Sequence, residues 1–338
     1  MPKQTGPPMQ LLLNRYPIEY RVEIVHPLMA AIQHGESACI VGLAGVGKSN
    51  LVQFIQQRAV IQHYLPQSIA ERTSLVGRSF RPGEQATDSI FTAMLADIQA
   101  SHPARAGDSA PAAAPFYTLQ ALLKTICQQR NQRVVYIFDE FESLLQHQPP
   151  EFFEQLRTLR DDHRTTRNFL YITITHRMPQ LVAGLHPFAE SKLFELVCNT
   201  LYPLPPYTQA DAESMIEALQ QNAGETRMPP AAAARLIEFA GGHSGLLAAL
   251  FLEFNPHFEL PIQRFLQRID DSEPVRQACA KIWLHLHSEE QGALRALAAN
   301  QAIDPDMAIF LSKRGLVKRE NHLSIFSSIF RDYVTHLA

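Results

Sequence analysis

The feature that most constrains this chain is the stretch Cys39 to Phe54, where an apolar run is followed by a glycine-rich turn and an amphipathic segment. Its centre, Gly42 to Ser49 (GLAGVGKS), fits the spacing G-x-x-x-x-G-K-[ST]. Glycines allow successive backbone N–H groups to turn inward around an anion. The pattern predicts a strand, a phosphate-binding loop, and a helix that begins near Lys48 with its positive end toward the phosphate.

Each fixed position of this loop has a predicted role in binding a nucleotide. Lys48 would reach the β- and γ-phosphates as a point charge, and Ser49 would ligate Mg²⁺. Tyr16 and Ile18, in the segment before the strand, are candidates for contact with adenine, although simple packing of an N-terminal helix explains them equally well. The other predicted nucleotide-binding residues, in the loop and directly after it, are Gly42, Gly45, Val46, Gly47 and Asn50.

A second informative stretch is Arg133 to Leu145, RVVYIFDEFESLL. Its apolar first half predicts a strand buried on both faces, as parallel strands are. Two carboxylates follow directly and resemble a Walker B motif. Asp139 would hold the Mg²⁺ and Glu140 would orient and deprotonate the attacking water. The alternative, an acidic N-cap for the next helix, is disfavoured because a phosphate-binding loop lies upstream.

The strand predicted at 168–175 ends in Thr175-His176-Arg177. A basic side chain at the tip of a central strand is placed to sense the γ-phosphate, so Arg177 is the sensor candidate, with a surface arginine as the alternative. Arg164 and Arg167 lie in the preceding turn. Either is a candidate for an arginine finger donated to a neighbouring subunit.

Strands alternate with helices up to about residue 200, which predicts an α/β fold with a parallel five-stranded sheet and the phosphate site at the carboxyl ends of the strands. The fifth strand is predicted at 192–198. The proline-rich segment LYPLPPY then marks a domain boundary. The predicted divisions are a loose tail at 1–13, an ATPase domain at 14–202, a helical lid at 203–272 and a winged helix at 273–338. The Ala- and Pro-rich segment from Ser101 to Pro115 predicts a mobile loop.

The predicted lid contains GGHSG, with His243 at a helix start. His243 either approaches the phosphates or is a solvated residue after a glycine C-cap. In the winged helix the candidate recognition helix spans about 305–314 and begins with acidic residues, which phosphate repels. Basic residues stand at Lys313-Arg314 and, in the hairpin, at Lys318-Arg319, so DNA contact through the wing and a protein-protein role both stay open.

Composition and charge restrict the possible partners, the state of the cysteines and membrane association. The net charge of −3 gives no global basic field for nucleic acid. The four cysteines, Cys39, Cys127, Cys198 and Cys279, are far apart and predict reduced core residues of a cytoplasmic protein. No apolar run has the roughly 20 residues needed to span a bilayer, so no membrane association is expected.

Together GLAGVGKS, the strand with DEFE, the Thr-His-Arg tip, the lid with GGHSG and the terminal winged helix resemble the ASCE P-loop ATPases, in the branch that joins AAA+ initiators to STAND signal-transduction ATPases. The resemblance implies ATP/ADP and Mg²⁺ as ligands, slow hydrolysis, oligomerisation and a separate protein partner. It also implies ATP rather than GTP. Initiators carry a lid arginine where this chain has Gly245, and STAND proteins a Gly-x-Pro where this chain has Ser244. A DNA-binding initiator or transposition regulator is the alternative function.

Overall fold

The computed structural model describes residues 16–80, 86–103, 114–163, 167–182, 193–194, 200–223, 228–254, 269, 271–319 and 322–337. The predicted tail at 1–13 and Arg164 and Cys198 lie outside these residues, as does most of the predicted mobile loop. Among the residues that the structure describes, no helix combines the length and the apolar character that crossing a membrane requires.

The chain forms two compact units. The first, here called the sheet unit, comprises Glu23–Val41 and Ile55–Pro203. The second, here called the lid unit, comprises Met1–Val22, Gly42–Phe54 and Leu204–Ala338. The phosphate-binding loop and the predicted lid therefore belong to the same unit.

A five-stranded parallel sheet, with strand order β2-β3-β4-β1-β5, dominates the sheet unit. All residues of β1, β3 and β4 are buried, which agrees with the near-continuous apolar sequences of these strands. Register pairs Val41 of β1 with Thr175 of β4, and Phe138 of β3 with Thr173 of β4. The carboxyl ends of β1, β3 and β4 thus lie along one edge of the sheet. The strands are β1 Ala38–Gly42, β2 Thr73–Ser79, β3 Arg133–Asp139, β4 Phe169–Thr175 and β5 Leu201–Leu204.

The predicted position of the fifth strand, 192–198, is wrong. β5 is Leu201–Leu204, and Leu193 and Phe194 are helical, while the rest of the predicted segment lies outside the described residues. Pro203 explains the error, because a proline predicts the end of the sheet domain, whereas the structure includes Pro203 in β5. β5 is at the edge of the sheet, where a proline costs no ladder hydrogen bond on its open side.

Helices connect the strands, and prolines begin several of them, since a first-turn proline loses no helical hydrogen bond. The α-helix Pro115–Leu123 continues as a π-helical turn, Lys124–Gln129. The described helices before β5 are α1 Val22–His34, α2 Lys48–Ile55, α3 Arg58–Tyr64, α4 Gln67–Ala70, α5 Thr87–Ser101, α6 Pro115–Leu123, α7 Phe141–His147 and α8 Pro150–Asp161, with a 3₁₀ turn at Pro179–Leu181.

The C-terminal part of the lid unit is helical. Thr208 caps the helix Gln209–Ala223, since its hydroxyl accepts a hydrogen bond from the Asp211 N–H at 3.2 Å. Gly241, with φ +59°, ends α10 as a left-handed C-cap. The helices that the structure describes here are α9 Gln209–Ala223, α10 Pro230–Ala240, α11 Ser244–Phe254, α12 Glu273–Leu284, α13 Ser288–Ala298, α14 Pro305–Lys313 and α15 Ser328–His336.

A winged-helix arrangement ends the chain. Three helices, α12 to α14, precede an antiparallel hairpin of β6 Val317–Arg319 and β7 Leu323–Ile325, and α15 follows. The Asp304 carboxylate caps α14 by accepting from the N–H groups of Asp306 and Met307. Residues 320–321, between the two strands of the hairpin, lie outside the described residues.

Three of the four cysteines are described, and all three are buried free thiols, as predicted. Burial raises the pKa of Cys39 to about 11 and the pKa values of Cys127 and Cys279 to about 12. A thiol with so high a pKa carries almost no thiolate at neutral pH. These residues are therefore part of the packing and not nucleophiles.

Candidate functional site

The glycine-rich loop has the predicted strand–turn–helix form. Gly42 ends β1 and Lys48 begins α2. Gly45 and Gly47 have φ values of +78° and +96°, a region that residues with a Cβ rarely adopt. A Cβ on Gly47 would lie 3.1 Å from the Tyr207 hydroxyl oxygen and 3.2 Å from Ser244 Oγ. Both glycines are therefore needed for the path of the loop.

Lys48 is directed back along its own loop. The side chain is 7% exposed, and Nζ donates to the carbonyl oxygens of Gly42 at 2.8 Å and Leu43 at 2.9 Å. Ser49 follows in the first turn of α2 and is exposed, whereas Val46 is fully buried. A buried cation beside a glycine-rich turn fits an anionic phosphate group, and a hydroxyl at the next position fits a hard divalent cation.

Residues His243 to Gly245 of the predicted lid donate hydrogen bonds to the loop carbonyl oxygens of Ala44 and Gly45. His243 Nε2 lies 2.9 Å from the Ala44 carbonyl oxygen. The carbonyl oxygen of Gly45 accepts twice, from Ser244 Oγ at 2.8 Å and from the Gly245 N–H at 2.9 Å. These contacts explain why this chain has Ser244 where STAND proteins have a proline and Gly245 where initiators have an arginine. Serine supplies a hydroxyl donor that proline lacks, and a glycine at 245 lets two backbones approach closely, since a Cβ there would lie 3.0 Å from the Gly45 carbonyl oxygen.

His243 is buried, with 1% exposure, so the solvated alternative was wrong. Its Nδ1 accepts from the Leu246 N–H at 3.2 Å, and therefore Nε2 carries the proton and donates to Ala44. Burial lowers the pKa of His243 to about 3, with the cations Lys48, Arg21 and Lys281 acting in the same direction and the bond to Ala44 opposing them. The imidazole is consequently neutral at physiological pH.

Arg21 binds the next carbonyl oxygen of the loop, that of Val46. The sequence did not predict this contact. One guanidinium nitrogen donates to the carbonyl oxygen of Val46 at 2.6 Å, another donates to that of Pro205 at 2.5 Å, and the group lies 4.2 Å from the centre of the Tyr207 ring. Arg21 is 4% exposed. Nothing in the local sequence distinguishes it, because its partners lie in other parts of the chain.

Tyr16 lies beside the loop helix in an aromatic cluster. Its ring stacks on that of Tyr20 at a centroid distance of 4.0 Å, and Asn50 Nδ2 lies 3.4 Å from its hydroxyl oxygen. The hydroxyls of Tyr20 and Tyr207 are 2.9 Å apart. The sequence predicted Tyr16 and Asn50 as site residues but missed Tyr20 and Tyr207. The flat, half-buried Tyr16 ring is a surface on which a purine base can stack.

In the sheet unit, Asp139 ends β3 and is 8% exposed. Its Oδ1 accepts from the Glu140 N–H at 3.0 Å. Glu140 has φ +56°, a conformation that is uncommon for a residue with a side chain and is enriched at functional sites. Glu140 precedes α7 as the N-cap residue but makes no side-chain cap bond. Glu140 therefore does not cap α7 with its side chain.

The turn after β4 carries the predicted sensor. Arg177 accepts a hydrogen bond on its carbonyl oxygen from Thr175 Oγ1 at 2.7 Å, and its N–H donates to Glu142 Oε1 at 2.6 Å. Because β4 pairs with β3, this turn lies beside the end of β3, where Asp139 is located. Arg167 lies elsewhere, where it donates to the carbonyl oxygen of His34 at 3.2 Å and packs against Gly35.

Each unit thus collects part of the predicted set. The lid unit brings together the glycine-rich loop, Lys48, Asn50, Tyr16 and His243. The sheet unit brings together Asp139, Glu140 and Arg177 at the ends of neighbouring strands. The residues that the sequence missed are Tyr20, Arg21, Glu142, Tyr207 and, as contacts of the loop, Ser244 and Gly245.

A parallel sheet with a glycine-rich loop after β1, acids after β3 and a helical lid is the architecture of a P-loop NTPase. The family model described as Novel STAND NTPase 1 matches residues 20–257, so the chain belongs to that family. A comparison with curated proteins gives no match.

Solved structures share the fold at low sequence identity. The Walker-type ATPase of Pyrococcus abyssi is 14% identical with a TM-score of 0.60, and the match covers 96% of this chain and 99% of that one. The ADP form of the ORC2 protein of Aeropyrum pernix is 14% identical with a TM-score of 0.53, and the match covers 99% of this chain and 97% of that one. At these identities the likeness shows the fold alone.

Proposed function

We propose that this chain binds ATP with Mg²⁺, hydrolyses it slowly, and acts as a switch whose nucleotide state sets the position of the lid and winged helix. Lys48 and the loop N–H groups bind the phosphates, and Tyr16 contacts the base. Ser49 and Asp139 hold the metal, which would neutralise charge that develops on the phosphates. Glu140 orients and deprotonates the attacking water, and Arg177 senses the terminal phosphate.

One observation supports the proposed switch. The five successive carbonyl oxygens from Gly42 to Val46 all accept hydrogen bonds from side chains or from the lid backbone. A peptide unit is planar, so an N–H group cannot turn toward a phosphate without rotating the carbonyl of the preceding residue. Any rearrangement of the loop around phosphate therefore alters its bonds to His243, Ser244 and Arg21.

Lys48 has a particular part in this coupling. Its ammonium group is bonded to the carbonyl oxygens of Gly42 and Leu43. A phosphate group attracts the ammonium more strongly than a neutral carbonyl does, because the phosphate carries a full negative charge. Transfer of Lys48 to phosphate would release these carbonyl oxygens and loosen the loop as nucleotide binds.

The test compares two variants of the proposed machinery by calorimetric ATP titration and by phosphate release. Lys48→Ala should lose ATP binding, whereas Glu140→Gln should bind ATP with Mg²⁺ and not turn it over. Lys124→Ala, which removes an exposed lysine of the sheet unit, is the matched control and should behave as wild type. Normal turnover by Glu140→Gln would remove the water-activating role. No uptake of adenine nucleotide by the wild-type chain would refute the whole proposal.

The output of the switch is proposed to be oligomerisation or the binding of a separate protein partner. Sizing the protein with ADP and with a non-hydrolysable ATP analogue tests the first of these. A change in mass between the two states supports self-assembly, and an equal mass leaves partner binding as the output.

A further inference from the structure

Glu142 is a third carboxylate after β3, and neither the sequence motifs nor the proposed mechanism gives it a task. It lies in the first turn of α7, and its side chain is 15% exposed. Oε2 is 2.9 Å from His176 Nδ1, and Oε1 accepts from the Arg177 N–H at 2.6 Å. Both carboxylate oxygens are thus engaged by two consecutive residues of the turn after β4.

The protonation states follow from these contacts. Burial would raise the pKa of Glu142, but the hydrogen bonds from His176 and from the backbone N–H of Arg177, with the charge of His176, hold this pKa below its ordinary value. An ionised carboxylate can only accept, so His176 Nδ1 carries a proton and donates. The contact is a charge-assisted hydrogen bond, which is stronger than a neutral one.

The turn is held on both sides of Arg177. Glu142 binds its N–H, and the Thr175 hydroxyl binds its carbonyl oxygen at 2.7 Å. With both polar groups of one residue fixed, the Cα–Cβ bond of Arg177 has a fixed direction. A long side chain that begins from a fixed bond reaches a target at lower entropic cost than one on a mobile turn.

We infer that Glu142 is a positioning residue for the proposed hydrolysis: it fixes the His176–Arg177 turn so that Arg177 reaches the terminal phosphate in a productive geometry. The inference rests on the proposed function, because it presupposes ATP turnover. Glu142 does not itself touch the nucleotide. Its replacement should therefore lower kcat and leave ATP affinity, which depends on the loop of the lid unit, almost unchanged.

Glu142→Gln is the main test variant, since a glutamine amide has the same shape but can accept from only one of the two donors. We expect kcat to fall about 10- to 100-fold, as for other displaced positioning groups, while the dissociation constant for ATP with Mg²⁺ changes less than about twofold. Glu151→Gln, an exposed first-turn acid of α8, makes the same change of charge and should keep wild-type kcat.

A second readout does not depend on nucleotide. In ¹⁵N-histidine-labelled protein the Nδ1–H proton of His176 should give a downfield resonance that is absent in Glu142→Ala and present in Glu151→Gln. A wild-type kcat in Glu142→Gln, or an unchanged His176 resonance in Glu142→Ala, would overturn the inference. Because wild-type ATP uptake is measured in the same series, failure of the proposed function is recognised separately from failure of the role of Glu142.

Discussion

The neutral imidazole of His243 donates from Nε2 to the carbonyl oxygen of Ala44 at 2.9 Å, which joins two parts of the chain separated by 199 positions. The ring also accepts from the Leu246 N–H. It therefore bridges the lid helix and the phosphate-binding loop. A protonated imidazole could not accept from Leu246, so the bridge requires the neutral form.

This bridge predicts a pH dependence of stability. The pKa of His243 is lowered from 6.5 to about 3 in the folded chain. Between these values the unfolded chain binds a proton that the folded chain does not, so the free energy of unfolding should fall as pH decreases from about 6.5 to 3. The contribution is complete above pH 6.5. Its slope is at most about 1.4 kcal/mol per pH unit for one group.

Urea denaturation at several pH values between 7.5 and 4.5 measures this slope. His243→Gln removes the titrating group and should flatten the dependence, and it should also lower stability at pH 7.5 by about 1–3 kcal/mol through the altered bond to Ala44. His26→Gln, which changes an exposed histidine of α1, is the control. An equal slope in wild type and His243→Gln would show that this imidazole is not buried as described.

Arg21→Lys should destabilise the protein although the charge is kept. The guanidinium of Arg21 binds the carbonyl oxygens of Val46 and Pro205 together and lies over the Tyr207 ring. A lysine ammonium has no planar fork and cannot satisfy both oxygens in the same way. We expect a loss of about 1.5–3 kcal/mol in the free energy of unfolding, the range for hydrogen bonds to charged groups.

The matched substitution for this test is Arg276→Lys, because Arg276 pairs with Glu273 at the surface, with side chains 55% and 61% exposed. Exposed pairs contribute little. Denaturation curves of the two variants at equal pH and salt provide the comparison. Equal stability of Arg21→Lys and Arg276→Lys would contradict the bridging role of Arg21.

Two glycine-to-alanine substitutions should change the free energy of unfolding in opposite directions. Gly241 has φ +59°, and a Cβ there would overlap the carbonyl oxygen of Phe326. Gly241→Ala should therefore cost at least about 1–2 kcal/mol for the left-handed conformation alone. Gly292 lies in α13 with nothing within 4 Å of the added carbon, so Gly292→Ala should stabilise by about 0.5–1 kcal/mol. Thermal unfolding of both variants checks the signs.

DNA binding, the alternative function, should depend on the wing if it occurs. Lys318 and Arg319 of β6 are exposed, whereas α14 begins with Asp304 and Asp306 and has Lys313 in its last turn. If wild type binds duplex DNA at low salt, changing Lys318 and Arg319 to Glu should reduce the slope of log K against log salt by about 2, near 0.9 for each lost phosphate contact. Absence of binding at low salt would eliminate the DNA-binding alternative.

Much of the fold follows from patterns that are local in sequence. The β3 and β4 segments are mostly apolar, as is typical of strands that are buried on both faces of a parallel sheet. The run of mostly apolar residues at 192–198 predicts the fifth strand more strongly than LYPL does, yet β5 is Leu201–Leu204. Strand formation is decided by the backbone partners available, and β5 is an edge strand that tolerates Pro203.

The sequence by itself determined the glycine-rich loop, the carboxylates after β3 and the order of sheet, lid and winged helix. These features depend on residues within a few positions of one another, where sterics and hydrophobic periodicity act directly. Only the tertiary structure determined which groups bind the loop carbonyl oxygens and which residues the Glu142 carboxylate contacts. Apart from the two bonds that Lys48 makes within the loop, those contacts join residues 25 to 199 positions apart, and no local propensity carries information about which distant donor reaches a given carbonyl oxygen once the chain is packed.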